Sequence, residues 1–129
     1  MELTVRDLIG VSWDAMNCAA LTREVHRRLG HTCPWMDVWA GPVDDVSIRV
    51  CLEDLTRGTR WAKIPAAEQV GDVILSHSAA GQSTAPLHLS VIVSRGKALT
   101  TSIKTGAVII PARRVARILS CWRWIELPA

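Results

Sequence analysis

The sequence predicts an α+β fold, and three observations carry that expectation. Helical periodicity is confined to the first half of the chain, where Leu21, Val25 and Leu29 recur on one face. From Gly71 onward the character changes to short β-branched runs separated by turn residues, as in Val73-Ile74-Leu75 and Val91-Ile92-Val93. Helices that precede a set of antiparallel strands segregate to one face of the sheet rather than alternating with parallel strands. With 129 residues, the chain suits one domain around one core, spanning residues 1–129.

Each element follows from its residues. Residues 2–9 read as a short helix or turn covering the core, and residues 10–16 as a loop. Asn17 and Cys18 open the first helix, with Arg23, Glu24, Arg27 and Arg28 on its polar face and Gly30 at its stop. His31 to Trp35 is irregular because Pro34 restricts its neighbour. Asp44 or Asp45 caps a second helix, with Ile48, Leu52 and Leu55 inward and Gly58 closing it. Trp61 to Gln69, broken at Pro65, reads as a connection. Strands are expected at Asp72 to His77, Leu87 to Val93, Lys97 to Ile103 and Ala107 to Ile110, with a small polar loop over Ala79 to Pro86. Pro111 suits the first turn of a short helix through Leu119, and Cys121 to Ile125 alternates as a last strand.

Composition narrows the function. The chain is 49% hydrophobic and 21% charged, the balance of a globular protein. A net charge of +3 without any run of Lys or Arg does not argue for nucleic acid. The four cysteines, 18, 33, 51 and 121, form no Cys-x-x-Cys pair, so neither a metal site nor a cofactor is expected. No stretch reaches the ~18 apolar residues of a membrane span. The opening Met-Glu-Leu-Thr-Val-Arg-Asp is acidic and does not read as a signal peptide, which suggests synthesis in the cytoplasm with free thiols. Export by another route stays open.

The chemistry centres on Cys18. A cysteine at a helix N-terminus sits among unpaired backbone N–H groups, which favour the thiolate. Such a nucleophile needs a base, and the base needs a third group to orient it. His26 lies two helical turns away, ~12 Å, too far to act on Cys18, and His31 lies beyond the far end of that helix. His88 opens an apolar strand beside a loop, where a side chain is held rigidly yet meets solvent, and His77 is the second choice. Trp13, Trp35 and Trp39 cluster around the cysteine helix and are candidates to wall a cleft.

In this order the segments Asn17-Cys18, Gly71-Asp72-Val73-Ile74, His88-Leu89-Ser90-Val91 and the turn Ser94-Arg95-Gly96-Lys97 resemble the NlpC-type cysteine peptidases of the papain-like superfamily. The resemblance runs from about Trp13 to Trp124. It looks closest to the phage-tail branch, through Gly30 to Pro34 and the final Cys121-Trp122-Arg123-Trp124. It implies a papain-like core with the cysteine helix packed on an antiparallel sheet. It also implies hydrolysis of amide bonds in peptidoglycan stem peptides, between D-glutamate and a diamino acid. Cys18 would be the nucleophile, His88 the general base and then acid, and Thr100 the third polar residue, with Trp13, Asn17 and Trp35 beside the substrate. Peptidoglycan peptide would be the partner, with phage-tail proteins as the assembly setting, and the location would be a virion or the exterior.

Five positions depart from the family pattern. Asn17 stands for the usual Asp, Ala19 and Ala20 for a Ser-Gly or Trp-Gly, Ser90 for a Gly, and Thr100 for a His, Asn or Gln. A threonine hydroxyl accepts from an imidazole N–H but is shorter and more rotatable. Ser102 is the better alternate to Thr100 than Thr101, because a one-residue slip turns a side chain to the opposite face. Two further readings stand beside the peptidase. One is a CHAP-type amidase, which shares the cysteine-helix then histidine-strand order. The other is a catalytically silent papain-like module of a tail or toxin assembly, favoured by Thr100.

Overall fold

Asn17 starts the helix physically. Its extended backbone and side-chain oxygen, which accepts from Ala20 N–H at 2.9 Å, satisfy an orphan donor of the first turn of α1 (Cys18–Arg28). One face of α1 buries Leu21, Val25 and His26. On the other, Glu24 pairs with Arg27 at 2.7 Å, while Arg28 reaches back to Asp7, also at 2.7 Å, tying the short turn Arg6–Leu8 to the helix. The computed structural model describes residues 3–31, 60–78 and 87–125. The expected second helix, Trp35, Trp39 and the Ala79 to Pro86 loop lie outside the described residues.

Six strands form one antiparallel sheet: β1 (Trp61–Ile64), β2 (Val73–His77), β3 (Leu87–Ser94), β4 (Lys97–Thr100), β5 (Val108–Pro111) and β6 (Ile118–Trp124), in the spatial order β1-β6-β2-β3-β4-β5. Strands β2 to β5 are a meander, and β6 returns to pair with β2 and β1. The structure is thus mixed α+β, one helix on a six-stranded antiparallel sheet. Among the described residues no helix is long and apolar enough to cross a membrane.

Three expectations change. Trp61 to Ile64 is an edge strand rather than a connection, because β6 supplies its ladder partners from Trp124 back to Cys121. The strand expected through Ile103 ends at Thr100, where the chain turns to Gly106. Pro111 closes β5, the helix after it shrinks to Ala112–Arg114, and Ile118 and Leu119 already belong to β6.

The pleat sorts the core into two layers. Leu89, Val91, Val93 and Leu99 pack with Leu21 and Val25 of α1, along with Trp13, Val73 and Leu75. Ile74, Ile92, Ala98 and Cys121 form a smaller cluster on the opposite face, covered by Ala112 and Val115. Alternation along β3 therefore places His88 and Ser90 on the face away from α1. Gly71, at φ 95°, sits under the helix end, where a Cβ would meet Leu29 at 3.0 Å and His26 at 3.4 Å.

Candidate active site

β3 and β4 bring the predicted base and third residue together. The pairing of Val91 with Leu99 and of Ile92 with Ala98 continues to place Ser90 opposite Thr100, with His88 on the diagonal. His88 Nε2 and Thr100 Oγ1 are 2.8 Å apart. Ser90 Oγ donates to the same threonine oxygen at 3.1 Å. His88 Nδ1 is buried and has no hydrogen-bond partner among the described residues. A proton on Nδ1 would bury an orphan N–H, so the favoured tautomer carries it on Nε2 and donates to Thr100. The Nδ1 lone pair is then unoccupied, the state a general base requires. Ser90, which the sequence marks only as a departure from glycine, is the unforeseen member of this cluster. Its signal was register: it lies two residues from His88 on the same face.

Cys18 opens α1 as expected, and its sulfur lies beside the backbone amide of Leu89, the residue after His88. The expected ease of ionisation is reversed. Burial pushes the Cys18 thiol up to about 12, and the Leu89, Ala19 and Cys18 amides offset only part of that effect. Cys18 is 1% exposed. His88 also fails to meet solvent: at 1% exposure, burial lowers it to about 4. Both groups are therefore neutral near pH 7. The expected thiol–imidazole hydrogen bond is not formed, since Nδ1 has no partner among the described residues while the Leu89 amide faces the sulfur.

The predicted substrate contacts fall into other roles. Trp13 is only 7% exposed and belongs to the α1-side core, with its ring stacked 6.3 Å from that of His88 at an interplanar angle of 17°. It is a core plug against the imidazole rather than an open wall. Asn17 is fully buried as the helix cap. Trp35 lies outside the described residues. The space between α1 and the sheet is packed core. A cleft of about 160 Å³ instead opens on the other face, where Ser90 and Thr100 meet His77 and Ser76.

A second polar cluster stands at the far end of α1. His26 Nε2 donates to the Gly71 carbonyl at 2.7 Å, so its Nδ1 accepts from His31 Nδ1–H at 2.8 Å while His26 is neutral. Burial first, and then the His31 charge, lower His26 to about 4. Trp61 and Trp124 pack around the pair. Nearby, the Asp72 carboxylate accepts Arg123 through both oxygens, at 3.0 and 2.9 Å, and also the Glu68 and Gln69 amides at 2.9 Å each. Burial raises Asp72, but Arg123 and the two amides outweigh it and hold the carboxyl below its ordinary value. This places the Asp of the Gly71-Asp72 motif in a structural role. Among the described residues no group of three or more His, Cys, Asp or Glu has the arrangement of a metal site.

No family model, curated protein or solved structure matches the chain.

Proposed function

We propose that the chain is an NlpC-like cysteine peptidase that hydrolyses amide bonds in peptidoglycan stem peptides, on a papain-like core. The observation that carries this reading is the His88–Thr100 contact, which leaves Nδ1 as an acceptor with no partner among the described residues, next to the strand position whose amide faces Cys18. The order of the Asn17-Cys18, Gly71-Asp72 and His88-Leu89 segments supports it. The substrate class, between D-glutamate and a diamino acid, rests on the same resemblance, as does assembly with phage-tail proteins.

In the reaction, His88 Nδ1 takes the Cys18 thiol proton, and the thiolate attacks the substrate carbonyl. Collapse of the tetrahedral adduct breaks the C–N bond while His88 returns the proton to the departing amine. Water, deprotonated by the same imidazole, then cleaves the thioester and releases a carboxylate. The first turn of α1 supplies N–H groups for the oxyanion. Cys18 and His88 are both buried, and His88 projects from the face of β3 away from α1, so the described arrangement is not the reacting one; the peptidase reading requires substrate binding to bring sulfur and Nδ1 into contact.

A second reading, a catalytically silent module, is favoured by that same burial and by the thiol held near 12. Turnover separates the two. The peptidase reading expects the unmodified chain to release stem-peptide fragments from peptidoglycan and Cys18→Ala to release none. A folded chain that releases no fragments favours the silent module.

A further inference from the structure

The cleft on the sheet face opposite α1 is built unlike the rest of the surface. Its floor is made of hydroxyls on three adjacent strands, Ser76, Ser90 and Thr100, at 3%, 1% and 8% exposure. Ser90 and Thr100 are committed to each other and to His88. Ser76 makes no side-chain hydrogen bond to any described residue, although it is more than nine-tenths buried and lines the cleft. Its rim carries His77, Arg114 and Arg117. Neither arginine forms an ion pair with a described carboxylate, whereas Arg27, Arg28 and Arg123 each do. No acidic side chain is among the described residues lining it.

Arg117 is held there by an unusual backbone. At φ 56° it is the single left-handed non-glycine among the described residues, and its carbonyl accepts the His77 N–H at 3.2 Å. The strand β6 thus starts from a fixed corner that keeps the second arginine beside the cleft. Two arginines at the rim and a hydroxyl on the floor with no described hydrogen-bond partner, without an acidic side chain among the described lining residues, suit an anion such as a carboxylate, which accepts charge-assisted hydrogen bonds from arginine forks and a hydrogen bond from a hydroxyl. A volume of about 160 Å³ is below the several hundred Å³ of a complete ligand site. It accommodates one carboxylate-bearing group of a larger molecule.

We propose that this cleft is an anion subsite that holds a substrate carboxylate through Arg114, Arg117 and the Ser76 hydroxyl, beside the His88–Thr100 pair. The inference rests on the peptidase reading for the identity of the ligand, a stem peptide whose D-glutamyl and diamino-acid residues carry free carboxylates. It makes charge on the peptide, and not sequence alone, the determinant of binding.

The test uses the full chain with Cys18→Ala, so that peptide is bound without turnover. Two synthetic probes are titrated by calorimetry at low salt: L-Ala-γ-D-Glu-diaminopimelate, and the same peptide with its carboxylates converted to carboxamides. The expected result is that the carboxylate peptide binds tighter by about tenfold or more. Adding Arg114→Gln and Arg117→Asn removes that advantage and leaves carboxamide binding unchanged. Asn is used at 117 because it tolerates the left-handed backbone. Both arginines are exposed, and a thermal melt checks that the variant is folded. Equal binding of the two peptides, binding of neither, or an advantage that survives the double substitution each overturns the subsite. Hydrolysis of the carboxamide peptide by the unmodified chain is read separately. If it is cleaved while the two peptides bind equally, the subsite fails and the peptidase reading stands.

Discussion

The imidazole of His88 and the hydroxyl of Thr100 meet at 2.8 Å across two neighbouring strands, with Ser90 donating to the same oxygen from beside the histidine. Thr100 is thus a positioning residue, holding the proton on Nε2 and the lone pair on Nδ1. Thr100→Val keeps the shape and deletes the acceptor. It should cost about 1–3 kcal/mol, the penalty for stranding a buried donor, and should lower kcat more than it raises KM. Thr100→Asn, which restores an acceptor, should recover part of the rate. Denaturant titrations and steady-state rates on the two variants check this.

The buried histidines predict how stability responds to acid. His26 and His88 are each lowered to about 4 in the folded chain, against an ordinary value of 6.5. Between those limits the unfolded chain binds protons that the folded chain refuses, so stability rises with pH. The contribution is complete above about pH 6.5 and is withdrawn as pH falls towards 4, on the order of 3 kcal/mol per histidine. Urea unfolding at pH 7.5 and pH 5.0 should show a clear loss at the lower pH. In His88→Gln that loss should shrink.

Trp13 and Asn17 carry structural loads. Trp13→Ala removes a large ring from the core beside His88 and should cost about 3–5 kcal/mol. Asn17→Ala deletes the helix cap and should cost about 1–2 kcal/mol. In both, turnover per folded molecule should change less than the melting temperature does. A large fall in kcat/KM at unchanged stability would return either residue to the substrate.

Asp72 is the anchor between β2 and β6. Asp72→Ala strands the Glu68 and Gln69 amides and frees the Arg123 guanidinium, for a loss of about 3 kcal/mol. Arg123→Met should cost less, because that side chain is 34% exposed and water takes over part of its role. Comparing the two melts measures how much of the motif is architecture.

The parts of the fold legible in the sequence were those with a local signal. Val73 to Leu75 and Leu87 to Val93 announce strands by β-branching, and the Arg95-Gly96 turn sets the register that brings Thr100 to His88. Trp61 to Ile64 was hidden because four mixed residues carry no periodicity, and their partner lies some sixty residues away in β6. The stretch after Pro111 resembled a helix because Ile118 and Leu119 are half-exposed and give no alternation of burial. The state of Cys18 was illegible for a different reason. Its local amides favour the thiolate, but the apolar cover from Leu89 and Trp13 comes from tertiary packing, and burial outweighs the amides.

The most direct test is digestion of purified peptidoglycan followed by mass analysis of the released stem peptides. The unmodified chain and His77→Ala should release fragments ending in D-glutamate with a new amino terminus on the diamino acid, while Cys18→Ala and His88→Ala release none. No fragments from the unmodified chain, or equal release by Cys18→Ala, would contradict the account.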